Sequence, residues 1–272
     1  MSGNVVREPP PVALRGEQID PAALDLITPA VLEERIEING IPAKLYRPTG
    51  AQGILLLGHG GAKSKDSDRF VSLSRLYAES TGLAVVCIDA IDHGERMPLV
   101  AGPGLPVEWH SKAVGQMVGD WDKTARALSW IGPAVAYIGF SMGAIFGVPT
   151  VGALASIRAA VFVVGGLPAG GGIQDPPLRP LLLNAASKLG QPQVLMANTT
   201  QDEIFPVDGV HELFDAIPGL NKRLMFWEGN HDDWPPGLSI TRLPSSIPES
   251  GNGIRRAPWT HLTTLTAPPA RR

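Results

Sequence analysis

The sequence contains very little cysteine and no excess of basic residues. Cys87 is the single cysteine among the 272 residues, so the chain cannot form an intrachain disulfide. Its thiol lies in the apolar run LAVVCIDA, and we expect a buried structural residue there, because a reactive thiolate needs polar surroundings. The net charge of −3 gives the chain no basic face, which argues against nucleic acid as its main partner.

Long apolar runs and clusters of metal ligands are missing too. No stretch is long and apolar enough to span a membrane, and residues 1–30 contain no apolar signal core before their prolines. We therefore expect a soluble, cytoplasmic protein. No group of histidine, cysteine and carboxylate residues has the spacing of metal ligands, so we expect neither a metal nor a cofactor. The run GHGGAK lacks the Gly-Lys-Ser/Thr ending of a phosphate-binding loop.

What the sequence does contain is an alternation of strand and helix patterns. The first two strands surround Asn39–Gly40 and predict a hairpin, whereas the inner strands are apolar throughout, which is typical of parallel strands covered on both faces. The eight strand candidates are Leu32–Ile38, Ile41–Pro48, Gly53–Gly60, Leu83–Ala90, Val135–Ser141, Ala159–Gly166, Gln193–Thr199 and Lys222–Gly229. This order predicts an α/β protein with a mostly parallel sheet and helices on both faces.

Helical patterns separate the inner strands. The helix candidates are residues 68–80, about 108–131, the run after Ser141 and 209–217. We expect Pro149 to break or kink the third of these helices, because proline cannot donate the backbone hydrogen bond of a helix interior. We expect Trp109, Trp121 and Trp130, which fall within the second pattern, to pack in the core and at its rim.

The two ends of the chain differ in composition from its middle. Residues 1–30 are polar and proline-rich and predict an N-terminal arm on the surface. Residues 31–237 form the predicted α/β domain, and residues 238–272, rich in Pro, Ser, Thr and Arg, predict an irregular tail. Segments 95–108 and 167–190 are too short for a large lid, so we expect a modest, open acyl pocket.

Three polar side chains follow three of the predicted strands. Ser141 ends one strand, Asp202 comes three residues after another, and His231 comes two residues after the last. Because the carboxyl ends of parallel strands meet at one edge of a sheet, we expect these side chains to converge. A serine hydroxyl needs a base and an orienting carboxylate to act as a nucleophile, so the set predicts that chemistry. We expect Gly139 and Gly143 to remove clashes where strand and helix pass closely.

Five motifs, taken in their order along the chain, resemble those of one fold family. GFSMG, around Ser141, resembles the nucleophile elbow of the α/β-hydrolase fold. TQDEIFP, GNH, LLLGHGGAK and IDAIDHGER resemble its acid loop, its histidine turn and the loops after its third and fourth strands. The resemblance spans residues 32–233 and implies an α/β-hydrolase fold without a large lid. It is greatest to dienelactone-hydrolase-like or prolyl-oligopeptidase-related esterases, although dienelactone hydrolases proper carry cysteine at the elbow.

The resemblance also implies a role for each residue. Ser141 would be the nucleophile, His231 the base, and Asp202 the group that orients His231. The backbone N–H groups of Gly61 and Met142 would form the oxyanion hole. The implied activity is hydrolysis of small to medium carboxylic esters through an acyl-enzyme, with a small-molecule ester as partner and either a monomer or a homodimer.

Two other kinds of activity remain open from the sequence. A thioesterase, a lactonase or a small-peptide hydrolase would use the same three side chains. A non-catalytic ligand-binding member of the fold is the alternative from another class, although such a protein has no need of all three groups.

Neighbouring residues compete for some of these roles. Ala62 is the alternative to Gly61 as an oxyanion donor. Asp202 competes with Glu203 and with Asp208, and we expect Asp208 to cap the next helix instead.

His231 competes with the other five histidines of the chain. We expect His59 and His93, in glycine-flanked loops, to brace those loops. His110 and His211 fall in helical patterns and should be ordinary surface or packing residues.

Charged residues crowd the loop after Gly61. Lys63, Lys65 and Asp66 form either a solvated loop with local ion pairs or a rim that holds the loop in place for the oxyanion.

Overall fold

The computed structural model describes residues 30–97, 106–169 and 173–233. Most of the predicted N-terminal arm and the whole of the predicted tail lie outside the described residues, so the domain boundaries stay predictions.

One mixed sheet of eight strands organises the described part of the chain. The strands are β1 (Val31–Ile38), β2 (Ile41–Pro48), β3 (Ile54–Gly58), β4 (Ala84–Ile88), β5 (Ala134–Phe140), β6 (Ala159–Val163), β7 (Gln193–Thr199) and β8 (Lys222–Trp227). They lie in the order β1-β2-β4-β3-β5-β6-β7-β8. β2 is antiparallel to both of its neighbours and the other adjacent pairs are parallel, so the predicted sheet is confirmed.

The strand sequences explain these positions. β3, β4 and β6 are buried at every residue and contain only apolar residues and one glycine, as strands covered on both faces require. β1 has four charged residues among its eight, is mostly not buried, and forms an edge of the sheet. Asn39 and Gly40 join β1 to β2 with φ angles of 52° and 79°, the left-handed conformation that a tight hairpin turn favours.

Helices cover both faces of the sheet. They are α1 (Asp68–Thr81), α2 (Trp109–Ala127), α3 (Met142–Ala153), α4 (Leu178–Ala186) and α5 (Val207–Ala216), with a short 3-10 helix at Gly94–Arg96. Phe70, Leu73 and Tyr77 of α1 pack into a core on one face, which also contains Cys87. The other four helices contribute to a core on the opposite face. Cys87 is fully buried, as the sequence predicted.

Pro149 does not break α3, so the prediction of a break is wrong and the prediction of a kink stays a prediction. The helix continues from Met142 to Ala153 with Pro149 inside it. A proline there removes one helical hydrogen bond, the one to the carbonyl of Ile145. Nine of the 12 residues of α3 are buried, and this packing offsets the missing bond.

Two further helix predictions differ from the structure. α4 lies where the sequence was interpreted as a loop, because its nine residues are too few to give a clear helical period. α2 ends at Ala127, so Trp130 lies beyond the helix and is 66% exposed. Trp109 and Trp121 are buried in the core as expected.

Candidate active site

Ser141 occupies a sharp turn between β5 and α3. Its backbone has φ 52° and ψ −112°, a conformation that residues other than glycine rarely adopt. Its N–H donates to the carbonyl of Val163 at 2.9 Å, and its own carbonyl accepts the N–H groups of Ala144 and Ile145 at 2.8 and 3.1 Å. These bonds fix the strained residue between β6 and the first turn of α3.

The two glycines of the turn allow the backbones to pass closely. A Cβ on Gly139 would lie less than 3.0 Å from the carbonyl oxygen of Gly143, which real Cβ atoms essentially never do. A Cβ on Gly143 would lie equally close to the carbonyl oxygen of Gly58, at the end of β3. The predicted steric role of Gly139 and Gly143 is confirmed, and the end of β3 is one of the backbones involved.

The structure brings Ser141, His231 and Asp202 together. His231 Nε2 lies 2.9 Å from Ser141 Oγ, and His231 Nδ1 lies 2.8 Å from Asp202 Oδ2. A carboxylate only accepts, so Nδ1 carries a proton and donates it. In the neutral ring Nε2 is then unprotonated and accepts the Ser141 hydroxyl, the arrangement a general base needs.

Asp202 is itself held in place. Its Oδ1 accepts the backbone N–H groups of Ile204 and Phe205 at 2.9 and 2.8 Å, while Oδ2 binds the imidazole. Asp202 and His231 are 5% and 8% exposed, so most of the bulk water that would compete for these bonds is excluded. Asp202, and not its competitors, is thus the carboxylate at the imidazole.

The loop that carries His231 is bound mainly through its backbone. Glu203 Oε2 accepts the N–H of His231 at 3.2 Å, a role that the sequence analysis did not assign. Asp233 Oδ2 accepts the N–H of Asn230 at 2.9 Å, and Gln201 donates its N–H to the carbonyl of Gly229 at 2.9 Å. These hydrogen bonds hold the His231 loop against the turn after β7.

His59 fixes the peptide between Gly60 and Gly61. The N–H of Ala90 donates to His59 Nε2 at 2.9 Å, so that nitrogen is unprotonated, and Nδ1 donates to the carbonyl of Gly60 at 2.8 Å. The N–H of a trans peptide points opposite to its carbonyl, so the Gly61 N–H points away from His59. Burial lowers the pKa of His59 to about 4, so the ring is neutral near pH 7.

This peptide lies beside the candidate nucleophile. A Cβ on Gly60 would be 3.7 Å from the Cβ of Ser141, which is ordinary van der Waals contact. Met142 is the first residue of α3, where a helix leaves its N–H groups without intrahelical partners. Ala62, the alternative donor, has a φ of 55° and is exposed.

The other candidate residues lie away from this chain of hydrogen bonds. The His93 ring packs between those of His59 and Trp109, with centroids 5.7 and 5.6 Å away, so it supports its loop as predicted. His211 is exposed and packs against Phe226. Among the residues that the structure describes, no group of three or more His, Cys, Asp and Glu side chains could hold a metal ion.

Two predictions for charged residues near the site need correction. Asp208 is inside the first turn of α5 and Pro206 is the N-cap, so Asp208 does not cap the helix. A carboxylate in that turn still interacts favourably with the helix dipole. Lys65 is 1% exposed, so the interpretation of its loop as solvated is wrong at that residue.

The chain has the α/β-hydrolase fold. A cold-adapted esterase from an Arctic intertidal metagenomic library superposes with a TM-score of 0.63 at 23% identity, over 78% of this chain and 89% of that one. A dienelactone hydrolase from Anabaena variabilis superposes with a TM-score of 0.57 at 20% identity, over 77% and 91% of the two chains. An esterase from Pyrococcus furiosus gives 0.56 at 16% identity, over 85% and 92%.

Sequence comparisons add nothing to these structural similarities. No protein-family model and no curated protein matches the chain. Within the described ranges, no helix has the length and apolarity needed to cross a membrane.

Proposed function

We propose that the protein is a serine hydrolase that cleaves small to medium carboxylic esters. The observation that carries the proposal is the continuous chain of hydrogen bonds from Ser141 Oγ through His231 to Asp202, with distances of 2.9 and 2.8 Å. Ser141 also occupies a strained turn at the end of a buried strand, and strained backbone conformations cluster at functional sites.

The proposed reaction proceeds in two halves. Ser141 Oγ attacks the acyl carbon while its proton passes to His231 Nε2, and Asp202 stabilises the resulting imidazolium. The backbone N–H groups of Gly61 and Met142 hold the negative oxygen of the tetrahedral intermediate. The ester C–O bond then breaks, and His231 protonates the leaving alcohol. In the second half, water attacks the acyl-enzyme with His231 again as base, which releases the acid and restores Ser141.

The structural neighbours favour carboxylic esters as the substrate class. They include esterases and a dienelactone hydrolase. Thioesters, lactones and small peptides would react with the same groups, so they form the second set of candidates. A purely ligand-binding role is disfavoured, because binding alone does not require a base aligned on a serine.

Hydrolysis of p-nitrophenyl esters from acetate to dodecanoate tests the proposal. We expect turnover of the shorter esters, and the Ser141→Ala variant should be slower by roughly 10⁴-fold or more, since only binding and oxyanion effects remain. Parallel assays with thioesters, lactones and peptide anilides assign the substrate class. A folded wild-type protein that cleaves none of them would contradict the proposal, and so would a Ser141→Ala variant with more than a tenth of the wild-type rate.

A further inference from the structure

The loop between β3 and α1 is anchored at its two ends to two adjacent residues, Ala90 and Asp89. At its start, His59 accepts the N–H of Ala90 and donates to the carbonyl of Gly60. At its end, the backbone N–H of Lys65 donates to Asp89 Oδ1 at 2.9 Å. Asp89 and Ala90 follow β4 directly, so the end of one strand holds both ends of the loop that carries Gly61.

Lys65 is a buried cation surrounded by carboxylates. It is 1% exposed, and its Nζ lies 2.8 Å from Asp89 Oδ2, 2.8 Å from Glu95 Oε1 and 3.0 Å from Asp66 Oδ2. Burial would lower the pKa of this lysine, but the hydrogen bonds to Asp89, Glu95 and Asp66 outweigh burial and raise the pKa. Lys65 is therefore fully charged across the physiological pH range.

The surrounding backbone is shaped to admit the Asp89 carboxylate. Gly94 has a φ of 55°, and a Cβ there would lie less than 3.0 Å from the carboxylate atoms of Asp89. The N–H of Glu95 donates to Asp89 Oδ2 at 2.9 Å. Asp89 is 0% exposed and accepts hydrogen bonds from the loop after β3 and from the segment after β4, so it connects the two.

The outer members of this cluster bind it to the edge of the sheet. Asp66 also pairs with Lys44 of β2 at 2.8 Å and with Arg35 of β1 at 2.7 Å. Arg35 pairs in turn with Glu95 at 2.6 Å. Three cations and three carboxylates thus balance one another. Lys44 touches only the Asp66 side of the cluster, whereas Lys65 touches both loops.

We propose that Lys65 and Asp89 are a positioning pair that holds the Gly61 N–H in the orientation the oxyanion requires. The inference rests on the proposed function, because it gives a role in that reaction to residues that do not touch the substrate. Gly61, Ala62 and Lys63 lie between the two anchors and are exposed. Among the described contacts, the buried hydrogen bonds that hold this segment are those of its two anchors. The Lys65 ammonium holds the other oxygen of the Asp89 carboxylate, so its loss lets that carboxylate turn away from the Lys65 N–H and frees the segment that contains the donor.

A purely stabilising role fits the chemistry less well. Replacing a buried ion pair with apolar residues of similar volume is often neutral or stabilising, so such a pair is a poor way to gain stability. The Lys65–Asp89 pair does fix the orientation of the loop, because the Asp89 carboxylate accepts hydrogen bonds from both the backbone and the side chain of Lys65. Precise placement matters most for groups that act only in the transition state.

The test compares two lysine variants of the same cluster. Lys65→Met should lower kcat for a p-nitrophenyl ester about 10- to 100-fold with little change in KM, less than the roughly 10²–10³-fold loss when an oxyanion donor is removed outright. A trifluoromethyl ketone, whose adduct carries the same oxyanion, should bind more weakly by the same factor. Lys44→Met removes a cation from the same cluster without touching the Asp89 anchor, and it should keep both values within about threefold of wild type.

A second variant separates misfolding from mispositioning. Lys65→Met alone leaves the Asp89 charge buried without its partner, which is strongly destabilising. The double variant Lys65→Met/Asp89→Leu removes that charge together with the oxygen that accepts the Lys65 N–H, so it should lose kcat at least as much as the single variant. Near-ultraviolet circular dichroism checks that each variant is folded.

The outcomes distinguish this inference from the proposed function. If the wild type hydrolyses esters and either folded variant keeps kcat and ketone affinity within threefold, the positioning role is refuted and the proposed function stands. If kcat falls while ketone affinity is unchanged, the role is refuted as well. If the wild type hydrolyses nothing, the proposed function fails first and the inference with it.

Discussion

Asp202 and Glu203 are neighbours with the same functional group, yet they bind different atoms of His231. Asp202 accepts a hydrogen bond from the imidazole Nδ1–H, whereas Glu203 accepts the backbone N–H of the same residue. The difference follows from the turn after β7. The N–H groups of Ile204 and Phe205 hold Asp202 Oδ1 and direct its other oxygen to the ring, while Glu203 is exposed.

Matched amide variants should separate the two roles. Asp202→Asn presents an amide that can no longer hold the ring with Nε2 free, and kcat should fall roughly 10⁴-fold. Glu203→Gln keeps an oxygen that accepts the His231 N–H, so kcat should fall by less than about tenfold. The measurement is steady-state hydrolysis of one p-nitrophenyl ester by both variants. Equal losses in the two variants would contradict the assignment of Asp202 to the imidazole.

Sequence reasoning predicted Ser141, Asp202 and His231 because each follows an apolar strand, and parallel strands bring their ends together. It left open whether Lys63, Lys65 and Asp66 form a solvated loop or a rim that holds the loop in place, because two of the three partners of Lys65 are far away in the chain. Asp89 is 24 residues away and Glu95 is 30 residues away. Charged residues are buried only when paired, and a lone sequence does not give the pairing.

At the scale of elements, the site depends on how closely β3, β5 and α3 approach one another. The turn at Ser141 places the start of α3 against the ends of β3 and β5, and the two glycines occupy the points of closest approach. The periodicity of the sequence predicts that a helix follows the strand. Only the two glycines indicate how closely that helix approaches the ends of β3 and β5.

Two glycines of α3 provide a matched test of this packing. Gly143→Ala would force a Cβ against the carbonyl of Gly58, and it should destabilise the protein by about 1–3 kcal/mol or more. Gly152→Ala lies in the same helix, is exposed, and would meet its nearest atom at 3.5 Å. It should be neutral or stabilising by up to about 1 kcal/mol.

Urea unfolding of the two variants and the wild type measures the difference. A Gly143→Ala variant as stable as wild type would show that α3 can move away from β3, contrary to the close approach described above.

The helix predictions failed where burial outweighs local preference. Pro149 lies inside α3 because the helix is held by its neighbours on nearly every side. α4 was not predicted because its buried residues span little more than two turns. They are Leu178, Leu182, Ala185 and Ala186. The strands were predicted better, since continuous apolar runs of this length have few other interpretations in a chain of alternating elements.

At the scale of the whole molecule, the neutral, buried His59 makes the stability of the folded chain depend on pH. The folded state lowers its pKa from 6.5 to about 4 because the ring is buried, so the unfolded chain binds a proton more readily. Stability from this group is therefore fully present above pH 6.5 and is lost as the pH falls towards 4. The shift corresponds to about 3 kcal/mol between those limits.

The His59→Gln variant should remove this part of the pH dependence. Between pH 6.5 and 4, we expect the free energy of unfolding to fall more steeply with pH for the wild type than for the variant. The difference in slope should correspond to at most about one extra proton bound on unfolding. Urea unfolding at several pH values across this interval gives both curves. Parallel curves would show that His59 titrates in the folded state as it does in the unfolded chain.

The central claim is that Ser141 is an activated nucleophile, and covalent labelling tests it most directly. A fluorophosphonate probe followed by peptide mass spectrometry should place one adduct on Ser141 in the wild type. The Ser141→Ala variant should carry none, and Asp202→Asn should react far more slowly. A folded wild-type protein that stays unlabelled, or that is labelled at another residue, would contradict the account.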